Sequence, residues 1–494
     1  IYPWQMWLDG LYMAEPFYAE YSMVFNENNW DDIVNQFVWM EKNARDPKTG
    51  LLYHGWDESR QQRWADKQTG RSPNVWGRAM GWYAMALVDV LEFFPREHPR
   101  RQELLDILNR LAVAIESVQD KKTGLWWDIL DMPGRDKNYF ESSCSAMFVY
   151  TMARAVREGY IPERFIKVAV KGWEGIKSEF IKINEKGELE WHGTVSVSGL
   201  GGNPYRDGSY EYYMSEKIRV NDPKGLGPAI MAALEMESYQ SGWIGRGRTV
   251  LLDDYFNHEI RKRKFGQGEE TWHYKWNEMA DSGYYAWGEI FRNLGARIDM
   301  LSEAPNNKNL AGADVYIIVD PDTDKETPKP NYMTEEYAKI ISEWVRKGGV
   351  LVLLANDYQN AELDKFNILC RKFGLQFNKD RIFEVKNNEY KSGEINIPKG
   401  SSIFTTAGKI FLKEISTLKL DGRAKALLTE KGNTIMATVR YGKGTVFALG
   451  DPWLYNEYVD GRRLPHEYEN FKAAQDLSRW LIKQSAGRNN RNNN

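Results

Sequence analysis

Asp46-Pro-Lys-Thr-Gly-Leu-Leu-Tyr-His54, Asp120-Lys-Lys-Thr-Gly-Leu-Trp-Trp-Asp128 and Asn184-Glu-Lys-Gly-Glu-Leu-Glu-Trp-His192 are three versions of one connector. Their glycines, Gly50, Gly124 and Gly187, stand 74 and then 63 residues apart, and each interval has room for two helices and a loop. A helix pair that recurs with the same connector points to a toroid of helical hairpins, in which neighbouring units cover each other's apolar faces.

Outward from these connectors, apolar residues from Leu11 to about Gln240 recur at helical spacing. The pattern predicts helices near 10–26, 30–44, 74–94, 98–119, 139–158, 162–182 and 223–240. Ser72-Pro73 and Asp222-Pro223 read as a cap followed by proline in the first turn. A closed ring of six hairpins needs twelve helices, so either the ring is partial or further helices precede Ile1. The chain opens on what reads as a folded segment, with no Met, which favours residues upstream of Ile1.

Beyond Arg246 the pattern changes. Thr249–Leu252, Val315–Asp320, Val350–Leu354 and Thr445–Leu449 are short apolar, β-branched runs alternating with helical stretches such as 334–347 and 467–484. They predict an α/β domain with a mainly parallel sheet. The expected domains are 1–245, helical, and 246–486, α/β, followed by a polar, repetitive tail at 487–494 read as disordered. At 494 residues, two domains are the natural expectation.

With 66 basic against 69 acidic residues, the formal charge of -3 gives no footprint for nucleic acid or an anionic membrane. No apolar run is long enough to span a bilayer. Cys144 and Cys370 show neither metal-type spacing nor a disulfide framework. Nineteen Trp and 27 Tyr are more than a core alone demands, and such rings suit stacking on sugars.

Chemistry concentrates between Tyr53 and Trp82. There His54, Asp57, Asp66 and Arg78 interleave with Trp56, Trp64, Trp76 and Trp82. This set supplies stacking faces, proton donors and a cation for a carboxylate, as a site for an acidic sugar requires. Pro3-Trp4-Gln5-Met6-Trp7-Leu8-Asp9-Gly10 sets a further carboxylate among aromatic neighbours, where burial would raise its pKa. Asp9 also reads as a helix cap, Asp66 as an Asx-turn residue, His54 as a structural histidine and Arg78 as an intrahelical ion pair.

Five segments together resemble the unsaturated rhamnogalacturonyl hydrolases, glycoside hydrolase family 105, related to the unsaturated glucuronyl hydrolases of family 88. They are Gln5–Met13, Tyr53–Asp57, Trp64–Pro73, Trp76–Trp82 and Asn138–Met147. The resemblance covers residues 1 to about 240 and lacks the family's first helices. It implies an (α/α)6 barrel that needs no metal or cofactor and removes a 4,5-unsaturated uronic acid from the non-reducing end of a short oligosaccharide. Asp66 matches the family's general acid/base and Asp9 its assisting carboxylate. His54, Trp56, Asp57, Trp64, Trp76, Arg78, Trp82 and Trp127 match or adjoin pocket positions.

The chemistry is consistent. A 4,5-unsaturated uronate is a vinyl ether, so protonation at C4 leaves positive charge on C5 and the ring oxygen, where water adds. One carboxyl that starts protonated and then takes a proton from water can serve both steps, which demands an Asp66 pKa raised by burial against Trp64.

The competing readings are an unsaturated glucuronyl hydrolase acting on another lyase product, an inverting glycosidase, a sugar epimerase and a non-catalytic carbohydrate-binding protein. An inverting enzyme needs two carboxyls about 6.5–9.5 Å apart across the bond. An epimerase of this architecture is expected to use several histidines, whereas only His54 and His192 fall in the connectors. The α/β part is similar to flavodoxin-type or glutamine-amidotransferase-like domains, without the Cys that amidotransfer would need after Val350–Leu354. It is therefore read as non-catalytic. The expected partner is an oligosaccharide alone, bound by a monomer or weak homo-oligomer. If a signal peptide precedes these residues, the periplasm is the expected compartment.

Overall fold

The computed structural model describes residues 2–263 and 268–485. The tail at 487–494, read from sequence as disordered, lies outside the described residues. The chain divides into two compact units, Ile1–Gln240 and Ser241–Asn494.

The first unit is helical. It comprises α1 (Leu8–Phe25), α2 (Trp30–Ala44), α3 (Gly77–Phe93), α4 (Arg101–Ser117), α5 (Ser142–Arg157), α6 (Ile166–Glu179), the short α7 (Tyr210–Ser215) and α8 (Pro223–Gln240). The seven long helices are those the apolar spacing predicts. Helices α1, α3, α5 and α8 pack in succession as one row, with α2, α4 and α6 packed behind it. In the middle of the row α3 and α5 bury nearly every side chain. At its ends, α1 exposes Met13, Phe17, Tyr21 and Val24, and α8 exposes Leu226, Ile230 and Leu234, each set spaced to form one stripe.

Close approach of α3 to α5 depends on two glycines. A Cβ at Gly77 would sit 3.0 Å from Cys144 Sγ, and one at Gly81 would sit 2.7 Å from Met147 Sδ. The repeated connectors are equivalent turns: Gly50, Gly124 and Gly187 have φ of 75°, 78° and 80°. In the first two, the Asp46 and Asp120 carboxylates accept from the backbone two residues on and from the following threonine hydroxyl.

One helix start differs from the sequence reading. Ser72-Pro73 does not cap α3, which begins four residues after Pro73 at Gly77. Instead the Ser72 hydroxyl accepts from Gly55 N, and Gly77 N donates to Asp128 O. Segment 73–76 is thus held by connectors from elsewhere in the chain. Asp222 does cap α8, accepting from Lys224 N at 3.0 Å.

The second unit is built on a nine-stranded sheet. Its strands are β3 (Thr249–Asp253), β4 (Arg297–Leu301), β5 (Val315–Val319), β6 (Val350–Leu354), β7 (Leu375–Phe377), β8 (Leu418–Leu420), β9 (Lys425–Glu430), β10 (Asn433–Tyr441) and β11 (Gly444–Leu449); β1 (Gln5–Trp7) and β2 (Gly55–Asp57) belong to the first unit. The order is β4-β3-β5-β6-β11-β10-β8-β7, with β9 pairing β10. From β4 to β11 all pairings are parallel. From β11 outward they are antiparallel, so the mainly parallel expectation holds for one half only.

Alternate residues of the parallel strands enter two cores. Val250, Leu252, Ile317 and Val352 face helices α9 (Tyr285–Asn293) and α12 (Asn470–Gln484). Leu251, Ile318 and Leu353 face α10 (Glu335–Arg346) and α11 (Leu363–Arg371). Burial on both faces explains why these strands are apolar without alternation.

Candidate active site

Strands β1 and β2 pair antiparallel, with Trp7 opposite Gly55 and Gln5 opposite Asp57, and Leu8 N donates to His54 O. This pairing brings the first motif onto the second. Gly70 O accepts from Asp57 N, drawing in the loop that carries Trp64 and Asp66. Trp7, half-buried, packs on Trp64, Ala65 and Leu200.

Asp9 is the second residue of α1, and neither it nor the preceding Trp7 supplies a side-chain cap. Its carboxylate, 22% exposed, lies 3.0 Å from Nε2 of the fully buried His54. Nδ1 of His54 is 2.7 Å from the Tyr213 hydroxyl. The Tyr213 hydroxyl proton is assigned toward Nδ1, whereas Nε2 and the facing Asp9 Oδ2 stand at ion-pair distance, neither making a hydrogen bond among the described residues. Burial pushes the Tyr213 hydroxyl well above its ordinary pKa, which keeps that proton in place. Trp7 meets the imidazole edge-on with ring centres 5.6 Å apart, and Trp76 lies tilted at 4.8 Å.

Asp66 is different. It is exposed, and Oδ1 accepts from Gln68 N at 3.0 Å, Thr69 N at 2.7 Å and the Thr69 hydroxyl at 2.8 Å. These bonds, from Thr69 first, hold its carboxyl below the usual range. The expectation of a raised pKa is therefore reversed, because Trp64 is buried while the carboxylate beside it stays in water. The same turn chemistry recurs at Asp46 and Asp120.

Three of the predicted pocket residues are held inside the fold. Arg78 is 1% exposed, and its guanidinium donates to Ser143 Oγ, Glu141 Oε1 and Val195 O. It is not presented to a substrate carboxylate. Asp57, fully buried, accepts from Ser59 N, Ser59 Oγ and Gln62 N, stapling its loop. Trp76, 1% exposed, donates Nε1 to Asp128 at 3.0 Å. Around them Trp56 donates to Thr69 O, Trp82 packs on Tyr12 and half-buried Trp127 packs on Phe140.

Sequence reasoning passed over Tyr213 and Asp128. Asp128 occupies the connector position held by His54 in the first copy and by His192 in the third, so aligning the three connectors was a signal for it. Tyr213 left no such signal. Desolvation first, then the charge of Glu141, raises the Asp128 carboxyl from 3.8 to about 8. Its neutral form is the one the fold favours. Stability from this group is therefore complete below the ordinary carboxylate range and is lost as pH rises through about 8. Asp128→Asn keeps an acceptor for Trp76 and is expected to remove that loss, a difference of roughly 4 kcal/mol between urea melts at about pH 5 and about pH 9. Equal pH dependence in both proteins would contradict it. Among the described residues no group of three or more His, Cys, Asp or Glu is placed to hold a metal ion.

A profile described as Glycosyl Hydrolase Family 88 matches residues 1–240. Protein Atu3128 of Agrobacterium fabrum is 38% identical over 230 residues, 45% of this chain and 97% of that protein. The chain belongs to glycosyl hydrolase family 88. Its family 88 unit is also 34% identical over 147 residues to the unsaturated rhamnogalacturonyl hydrolase YesR of Bacillus subtilis, covering 30% of this chain and 40% of YesR. A solved family 105 glycoside hydrolase from C. acetobutylicum shares 47% identity over 48% of this chain and 66% of its own, with a TM-score of 0.47. In the second unit, residues 278–461 match a domain of unknown function, DUF4350.

Proposed function

We propose that the family 88 unit removes a 4,5-unsaturated uronic acid from the non-reducing end of rhamnogalacturonan-type oligosaccharides by hydrating its C4=C5 double bond. The observation that carries this reading is the Asp9–His54–Tyr213 series, a solvent-reachable carboxyl backed by an oriented imidazole among Trp7, Trp64 and Trp76. Likeness to YesR, whose name states that activity, supports the substrate class.

The proton that adds to C4 comes from the Asp9 carboxyl, the solvent-reachable member of the pair, which takes part in its neutral acid form. Water then bonds to C5 and gives up a proton to a base. Asp66, ionised by its turn, fills that role rather than the acid role that the family resemblance implies. The hemiketal at C5 opens, and the bond to the next sugar breaks with release of that sugar. Proton and hydroxyl both come from the Asp9–His54 pair and one water, so no oxidant or metal enters. Activity is expected to hold on the acid side, where Asp66 stays ionised; a loss of base function between about pH 7 and about pH 5 would contradict this.

Asp66→Asn tests the base. Asparagine already serves the matching turn at Asn184, whose Oδ1 accepts from Lys186 N and Glu188 N, so the variant keeps its fold. Its turnover, followed by loss of the ultraviolet absorbance of the conjugated uronate, is expected to fall by about a hundredfold or more. Unchanged turnover makes Asp66 a turn residue only. Running the assay on unsaturated galacturonyl-rhamnose beside unsaturated glucuronyl disaccharides separates the rhamnogalacturonyl reading from the glucuronyl one. Binding of every such disaccharide without absorbance loss would instead favour a carbohydrate-binding protein.

For the second unit we infer a non-catalytic role on an amidotransferase-like or flavodoxin-like plan. The layered helices and parallel half-sheet support that plan. After β6 the chain runs Ala355-Asn356-Asp357, and Cys370 is buried in α11 with its thiol pushed up by burial.

A further inference from the structure

The second unit contains a cavity of about 560 Å³ that the hydrolase reading does not use. Asn356 and Asp451 stand on its wall, each two residues past the carboxyl end of a parallel strand, β6 or β11. In open sheets with parallel strands, ligands bind in the crevice beyond those ends. The volume falls within the range of small-molecule sites.

Its wall combines flat rings with fixed polar groups. Trp272, Tyr274 and Tyr455 contribute the aromatic surface. The Arg261 guanidinium lies 4.6 Å from the centre of the Trp272 ring, and its Nε donates to Glu270. Asp451, 2% exposed, accepts from Trp453 N and Lys413 N, both at 2.8 Å. Asn356 donates to Asp320 Oδ2 at 3.3 Å, while the Ser416 hydroxyl donates to Asn356 O. Asp320 itself is 4% exposed, and its Oδ1 has no hydrogen-bond partner among the described residues.

Backbone strain sits at the same place. Tyr274 and Glu414 line the cavity with φ of 56° and 54°, and Asp320 behind Asn356 has φ of 44°. Residues are held in this region only when their surroundings over-determine them, and such positions cluster at ligand sites.

The lining limits the ligand. It carries Arg261 and Lys413 against Asp281, Glu414, Asp451 and Glu457, an excess of negative charge that disfavours phosphates and uronates. Amides, carboxylates, a hydroxyl and cations beside aromatic faces match a molecule with many hydroxyls and apolar C–H faces. We propose that this cavity is a second carbohydrate site, for a neutral mono- or disaccharide. It does not depend on the hydrolase reading.

The test titrates the full chain with rhamnose, galactose, lactose and, as the anionic control, galacturonate, read by saturation-transfer NMR and tryptophan fluorescence. Trp272→Ala removes a ring, and Asn360→Ala trims an exposed side chain on the same wall that donates to Asp357 Oδ2, with melting curves run on both variants to check the fold. At least one neutral sugar is expected to bind more tightly than galacturonate, with affinity falling about tenfold in Trp272→Ala and severalfold in Asn360→Ala. Unsaturated-uronide turnover should be the same in all three proteins. Failure of every neutral sugar to bind, tighter binding of galacturonate, or unchanged affinity in both variants would overturn the proposal.

Discussion

Asp9→Asn is expected to lower the rate of unsaturated-uronide turnover about a thousandfold while leaving the fold as it is. The substitution is isosteric, the side chain is only partly buried, and it caps no helix, so little stability depends on it. What changes is the proton. An amide cannot give up a proton to C4, whereas its carbonyl oxygen can still face His54 Nε2. The effect should therefore appear in kcat more than in KM, with affinity for the intact disaccharide retained. His54→Gln should fall in the same direction by a smaller factor, since His54 acts by positioning Asp9. Melting curves that overlay with the parent protein would show the loss to be chemical. Turnover within about threefold of the parent would remove Asp9 from the mechanism, since positioned acid-base groups contribute at least a hundredfold.

Arg78→Met is expected to be the most damaging substitution in the first unit, through stability rather than binding. Arg78 and Glu141 are both buried, and Glu141 also caps α5 by accepting from Cys144 N, Ser143 Oγ and Val195 N. Methionine fills much of the arginine's volume yet leaves a carboxylate in the interior without its cation. Breaking a buried pair in this way costs about 3–5 kcal/mol. Adding Glu141→Gln should recover a large part of that loss, because glutamine keeps an oxygen acceptor for the cap without the charge. Urea midpoints for the two single variants and the double variant measure the coupling. An Arg78→Met protein as stable as the parent but with weakened substrate binding would instead return Arg78 to the pocket.

The site was legible in unequal parts. Asp9, His54 and Trp64 lie together as the motifs suggested, because β1 and β2 pair directly and the connecting loop follows. Asp57, Trp76 and Arg78 stand in the same motifs but face inward. Polar residues within a short segment look alike in sequence, whether they serve a ligand or tie the segment to the fold. The turn at Asp66 was visible as one of two readings, and three hydrogen bonds to one oxygen favour the turn as its present state.

By itself the sequence determined the long helices, the repeated left-handed turns between them, and the buried parallel strands of the second unit. Those depend on apolar periodicity and on glycine, which act within a few residues. Tertiary structure alone decided where each polar group points. His54 is oriented by Tyr213, 159 residues away, and Arg78 is neutralised by Glu141, the cap of α5, and held by the Val195 carbonyl. The raised carboxyl of Asp128 likewise follows from the exclusion of water by the packing, whereas the depressed one of Asp66 follows from the Thr69 and Gln68 hydrogen bonds of its own turn. Burial is a property of the assembled packing, so the charge of a buried acid such as Asp128 is set by what surrounds it in space, while an exposed one such as Asp66 answers to its neighbours in the chain.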